Sequence, residues 1–382
     1  MKQNMRGLTA AILSISLLTV MAGAAIAPAL GAIRQHFAQS SPLAIQFVVS
    51  LPALSIIITT FFFRSLCRLM QTRTLALVGL SLYVLSGAGS FFADNLVVLL
   101  VLRALLGVSV GMVMPLSTGL LSFYFPPEVQ SRLMGLSAAM NQMGGVVATM
   151  LAGVLASIQW NYSFLVYLAG LLAMVLVAAK LPNDRLLQTG TRLQAKTLLR
   201  FHPSVTAMLF IMLLFFVYPT NFALTGSEAG LSPITVTLIM VALDVVAFCV
   251  GMSFGWLMKH AMRWMKYMAP LFFFSGYLVL AVWQDMWGMV LGSVFIGLAN
   301  GVGVPYVNTI ASIKGGREAA VTVMPLISAS LYLGQFLSPL VVTPLAGLFH
   351  CSPYAVAAVL ALLFMIQAYL TRCHHALPPE SS

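Results

Sequence analysis

Stretches of about 20 predominantly apolar residues, the length that crosses the hydrocarbon core of a bilayer, recur from Leu8 to Leu370 with only short polar breaks between them. With no water to bond them in lipid, backbone N–H and C=O groups must pair within each segment, so each stretch is expected to be a helix. With 60% hydrophobic and 7% charged residues, the chain cannot cover a water-facing globule. The runs predict helices near 8–30, 43–63, 74–92, 96–123, 133–157 and 162–180, then near 204–226, 233–258, 267–283, 287–311, 320–346 and 353–371. Residues 181–203 read as a polar linker and 372–382 as a tail. Lys2 and Arg6 before an apolar run and an Ala-rich stretch imitate a secretory signal. That run is long enough to span and many spans follow, so it reads as an uncleaved first helix.

Charge tests this count independently of hydropathy. Of the 19 Lys and Arg residues, 17 fall at one set of alternating ends, from Lys2 and Arg6 to Arg372. The opposite ends carry Arg34 as their single cation, with Asp94, Glu228 and Asp285. One missed helix would scramble this segregation. Because Lys and Arg stay on the cytoplasmic side, both termini and the linker are expected inside; the membrane expected is a bacterial plasma membrane. The formal charge of +11 is therefore a topology signal and not a nucleic-acid footprint, since the basic residues sit in short clusters between apolar runs.

The two sets of six helices repeat at a shift near 190 residues. Gly107, Gly111 and Pro115 recur as Gly297, Gly301 and Pro305; Glu128 matches Glu318, Gly144 matches Gly334, and Asp94 nearly matches Asp285. The fold class is an all-α integral membrane protein of twelve transmembrane helices in two six-helix halves, 1–180 and 204–371, related by this repeat. Such halves can rock about a site between them, which suits a carrier better than an enzyme.

Several chemistries find no support. The four cysteines lack paired spacing, and Cys373, His374 and His375 are adjacent with no distant fourth ligand, so neither a disulfide framework nor a metal site is indicated. No phosphate-binding glycine loop is present, and no cofactor or ATP is expected. Two ionisable side chains lie clearly inside the apolar runs, Arg103 in helix four and Asp244 in helix eight. Each costs roughly 2.5 to 3.5 kcal/mol to insert, which makes both functional candidates facing protein or a wet cavity. A partly desolvated carboxylate such as Asp244 can alternate between charged and neutral forms, as proton coupling requires. Polar residues in otherwise apolar helices give the substrate-cavity candidates Gln46, Asn141, Gln142, Tyr218, Asn221, Asn300, Tyr306, Asn308, Tyr332 and Gln335. Helix-to-helix bonding competes with cavity lining at each of them.

Helix one ending in "MAGAAIAPALGAI", Arg103 followed by Gly107 and Gly111, and "WNYSFLVYLAG" at Trp160 together resemble the major facilitator superfamily, particularly its drug:proton antiporter branch, over essentially the whole chain. The resemblance implies a monomeric secondary transporter exporting small amphipathic compounds in exchange for protons. Arg103 would tune a proton site or bind an anionic group. It also implies a gating loop between helices two and three, here "FRSLCRLMQTR", with Arg64, Arg68 and Arg73 as its cations. Phe63 and Cys67 stand where the family carries glycine and aspartate, and helix five lacks the branch's proline after Gly144. The alternatives are a carrier of one metabolite, such as a sugar, amino acid or nucleobase, and a non-transporting receptor.

Overall fold

In a computed structural model the chain is described over residues 2–125, 127–184, 195–315 and 323–371. Twelve helices among these residues are long and apolar enough to cross a membrane. The first span is broken. A helix over Lys2–Ala24 passes through a 3-10 turn at Ala27–Ala29 into a second helix at Leu30–His36. Pro28 explains the position, because it has no N–H to give to the Ala24 carbonyl four residues earlier. The remaining spans of the first half are Pro42–Leu69, Thr72–Gly89, Leu96–Tyr124, Pro127–Ile158 and, opening as a 3-10 stretch from Trp160, Ala169–Lys180. Those of the second half are Ala195–Glu228, Pro233–Ala261, Met265–Val282, Met286–Gly315, Met324–Leu348 and Pro353–Leu370.

The charge-poor ends are set by local capping. Ser41, Ser232 and Ser352 each precede a proline, and each serine hydroxyl accepts the backbone N–H three residues on, at 3.3, 3.2 and 3.2 Å. Proline at the first helical position loses no bond there. Asn95 caps the fourth span by accepting from Val97 N–H at 2.8 Å, and Asp285 does the same for the tenth by accepting from Gly288 N–H at 2.8 Å. That backbone hydrogen bond holds the Asp285 carboxyl below the usual carboxylate range. In the repeat it is therefore Asn95, not Asp94, that occupies the place of Asp285. At the basic ends helices outrun the predicted apolar stretches: the second span reaches Leu69, the fifth starts at Pro127 and the seventh at Ala195. Residues 195–203 of the expected linker are thus helical. The remainder of that linker over 185–194, Glu318 and the tail 372–382 lie outside the described residues, as do the side chains of Arg64 and Glu128.

The repeat is a repeat of contacts. A side chain added at Gly107 would strike the Pro52 carbonyl, and one at Gly297 would lie 2.7 Å from the Leu243 carbonyl. Gly111 faces the Ile56 carbonyl and Gly301 the Ala247 carbonyl; Gly144 faces Leu17 and Gly334 faces Leu209 in the same way. Spans four and five thus rest on spans two and one, and spans ten and eleven rest on spans eight and seven. Tyrosines repeat too. Tyr83 in span three donates to the Leu18 carbonyl of span one at 3.2 Å, and Tyr277 in span nine donates to the Leu214 carbonyl of span seven. Lipid supplies no hydrophobic drive between helices, so close packing through small residues and these hydrogen bonds hold each half together. Gly144→Val and Gly334→Val should each cost about 1 to 3 kcal/mol through overpacking against backbone; the matched losses would be read from thermal unfolding of the purified protein in detergent.

Candidate functional site

The interface between the halves is described best from the charge-poor end inward. There Gly31 of span one packs on the Ala223 carbonyl of span seven, and Gln35 Nε2 donates to Ser227 Oγ at 2.8 Å. Next, Gln46 of span two is 2% exposed and joins three helices. Its amide donates to Asn221 Oδ1 of span seven at 2.8 Å, while its carbonyl oxygen accepts from the Thr343 hydroxyl of span eleven. Asn221 spends its own amide protons on the Val217 carbonyl at 2.8 Å and on Thr220 Oγ1 at 3.1 Å. On the opposite flank, Gly153 of span five lies against Thr237 of span eight, and Thr149 Oγ1 donates to Asp244 Oδ2 at 3.2 Å. Phe47 and Phe336 stack across the halves with centroids 6.0 Å apart.

Contact thins toward the basic end. Gln142 lies on the stripe of span five that carries Thr149 and Gly153, two turns closer to the basic end, and it is exposed. Opposite it on span eight, a side chain built at Gly251 or Gly255 would meet nothing within 4 Å. Among the described residues, the deepest cross-half hydrogen bond runs from the Tyr332 hydroxyl to the Met114 sulfur, 2.7 Å. By helical rise Met114 sits about 27 Å below the start of its span, against about 14 Å from the end of span five for Thr149. The halves therefore touch closely at the charge-poor end and separate along spans five and eight toward the other.

Arg103 sits apart from this interface and has no contact with Asp244. It is 0% exposed within the first half. One guanidinium nitrogen donates to Tyr167 Oη at 2.8 Å and another to Ser90 Oγ at 3.0 Å, while the guanidinium carbon lies 5.1 Å from the Phe164 ring and 4.8 Å from the Tyr167 ring. Its Nε is buried without a partner. All these partners are neutral, so hydroxyls and ring faces stabilise the cation in place of a carboxylate. Tyr167 passes the interaction on by donating to the Ala22 carbonyl at 2.8 Å. Ala22 lies just before the break in span one, where the helix no longer supplies its fourth-neighbour N–H.

The remaining polar candidates divide between helix bridging and open positions. Asn141 accepts from Thr19 at 3.0 Å inside the first half, and Tyr218 bonds Ser293 at 2.7 Å inside the second. Gln335 donates to Met212 sulfur at 3.8 Å. Tyr306 lines a groove near the basic end of the second half. Asn300 and Asn308 share one stripe of span ten, partly buried, and Asn300 Oδ1 is buried without a partner. Thr149, Thr343, Ser90 and Tyr167 escape sequence reasoning, because hydroxyls and tyrosines are common in apolar helices and nothing local marks these four.

Around the loop between spans two and three, Arg68 is exposed and Arg73 donates to the Ala178 carbonyl at the end of span six. Cys67 is buried, and burial pushes its thiol up to about 11. A carboxylate reaches this region from elsewhere. Asp184, just past span six, accepts from Tyr124 Oη at 2.8 Å, and its backbone oxygen accepts from Thr72 N–H at 2.9 Å. Burial, followed by that bond to Asp184, pushes the Tyr124 phenol upward.

The Major Facilitator Superfamily model matches residues 12–339. The quinolone resistance protein NorA of Staphylococcus aureus (strain COL) is 24% identical over 347 residues, 85% of this chain and 86% of that protein. Among solved structures, a bacterial homolog of the human lysosomal transporter Spinster, inward-facing and unoccupied, superposes with a TM-score of 0.76 at 14% identity, covering 97% of each chain. A D-xylose-proton symporter superposes with a TM-score of 0.76 at 16% identity, covering 96% of this chain and 97% of its own. The nucleoside transporter NupG gives 0.71 at 11% identity over 95% and 97%.

The Arg103 network makes a structural prediction. Tyr167→Phe strands the Ala22 carbonyl and one guanidinium nitrogen in a buried site, so it should destabilise the protein by roughly 1 to 3 kcal/mol. Phe164→Leu removes only a ring face and should cost less; the order of their thermal midpoints checks this.

Proposed function

The chain belongs to the major facilitator superfamily, a multi-pass membrane transporter and not an enzyme, and from that premise we propose that it exports small amphipathic or drug-like compounds in exchange for protons. The observation that carries the reading is Asp244, an intramembrane carboxylate held across the interface by Thr149. The likeness to a quinolone resistance protein over most of both chains supports export. The reading assigns residues 1–180 and 204–371 to two rocking halves joined by 181–203, with both termini in the cytoplasm of a bacterium, and a monomer as the working unit. Closure at the charge-poor end then corresponds to an inward-facing state, with Gln142, Asn308 and Tyr332 on the open side.

A hydrogen bond to an ionised acceptor is worth about 1 kcal/mol more than one to a neutral acceptor. Protonating Asp244 thus loosens span five from span eight by about fivefold in equilibrium. That bias is modest, so bound substrate has to supply the rest of the switch, which is the condition for obligatory coupling. Arg103, walled by neutral groups, acts in this scheme by fixing the bend of span one. Gln46 and Asn221 act as the external latch, and the loop cations Arg64, Arg68 and Arg73 as part of the internal one. A second reading, a carrier for one polar metabolite, is favoured by the unpartnered Asn300 Oδ1, on the stripe of span ten that carries Asn308 two turns on; a defined solute would satisfy it.

In proteoliposomes, an imposed pH gradient should drive ethidium movement by the wild type and collapse with a protonophore. Asp244→Asn should retain ethidium binding yet lose the gradient dependence; full gradient-driven movement by this variant refutes the coupling role. Gln46→Leu removes bonds to two helices of the other half, so a thiol placed at Ser227 should react faster with a membrane-impermeant reagent in that background.

A further inference from the structure

The hairpin joining spans eight and nine is used by none of the roles above, and its composition is unusual. Between Asp244 and Asp285 the chain has no acidic residue, while Lys259, His260, Arg263 and Lys266 fall within eight positions at the basic end. Lys259 and Arg263 are exposed. Trp256 and Trp264 flank them, 62% and 68% exposed. His260 stacks on Trp256 at 4.7 Å, and Lys266 Nζ lies over the Tyr267 ring at 4.6 Å. Indole rings exposed beside clustered cations match the headgroup level of a bilayer, where an amphipathic ring meets both phases.

Beside this cluster the second half has a shallow groove of about 50 Å³, with Lys266 on its wall together with Ala207, Ile211, Ala269, Phe364 and Gln367. Gln367 gives an amide N–H to Thr206 Oγ1 at 3.0 Å, which ties span twelve to span seven at this wall. The groove is too small to enclose an acyl chain, since one water alone needs about 10 to 15 Å³ of such space, and it takes no more than the first methylenes. The site thus combines cations for a phosphate with an apolar wall for the start of a chain.

We propose that this hairpin and groove form a binding site for an anionic phospholipid of the phosphatidylglycerol type. Lys259, Arg263 and Lys266 hold the phosphate, and the glycerol end of the acyl chains lies on the groove. At the strength expected for a basic side chain near an anionic surface, three cations give a preference over a zwitterionic lipid of about a hundredfold. A lipid bound to the folded protein alone raises its stability by mass action.

The test is thermal unfolding of the full chain in maltoside micelles doped with dioleoyl phosphatidylglycerol or dioleoyl phosphatidylcholine. The anionic lipid should raise the midpoint by about 5 °C over the zwitterionic one. Lys259→Gln, Arg263→Gln and Lys266→Gln combined should abolish the difference, as should 1 M salt on the wild type, which needs no variant to fold. Soluble glycerophosphoglycerol, which has the headgroup without chains, should give no shift. Equal midpoints in the two lipids, a difference that survives the triple variant, or an equal shift from the soluble headgroup would each overturn the proposal.

Discussion

Everything in this molecule depends on glycine meeting carbonyl. In water, apolar side chains would draw helices together without help; in lipid that drive is missing, and helices gain by association only where their backbones come close enough for dense van der Waals contact. Gly107, Gly111 and Gly144 provide that approach in the first half and Gly297, Gly301 and Gly334 in the second. Each half is thereby a tightly keyed body. A keyed body moves as a unit, so the adjustable part of the protein is left to the seam between the two.

The seam has two such close approaches, Gly31 on Ala223 and Gly153 on Thr237, and adds a second kind of contact. Where the halves meet it relies on hydroxyl and amide side chains, Gln35 with Ser227, Gln46 with Asn221 and Thr343, Thr149 with Asp244. Such bonds are worth about 1 kcal/mol each and can be exchanged for water. That is the right scale for an interface that opens and closes in the proposed cycle. A seam keyed by glycines along its whole length would be too strong to part, and one with no polar partners would have no preferred register on closing.

The architecture was almost fully legible before any coordinates. Twelve spans, their order and the register of the halves follow from apolar run length, loop charge and six glycines. Span ends were legible where a capping residue sits in the sequence, as at Ser41-Pro42, Ser232-Pro233 and Ser352-Pro353. They were missed at Pro127 and Ala195, because a helix that has left the hydrocarbon can continue with polar residues. The site was legible only as an inventory. Gln46 and Asn221 stand out singly as amides in apolar runs, but that they bond one another depends on how span two meets span seven. The cage around Arg103 was hidden for the same reason, since Ser90, Phe164 and Tyr167 become a cation's partners only after spans three, four and six are packed.

The duplication has one conspicuous break. In register with Arg103 the second half carries Ser293, which bonds Tyr218, a neutral pair where the first half holds a charge. The guanidinium is bonded within its own half, so in the proposed rocking cycle it travels with that half. Any rotation that displaces it along the bilayer normal is work against the membrane potential. A full crossing by one charge is worth about 2.3 kcal/mol per 100 mV, so a tenth of the path amounts to roughly 0.2 kcal/mol. If the halves rock as proposed, Arg103 makes the membrane voltage a contributor to the balance between the two orientations of the first half.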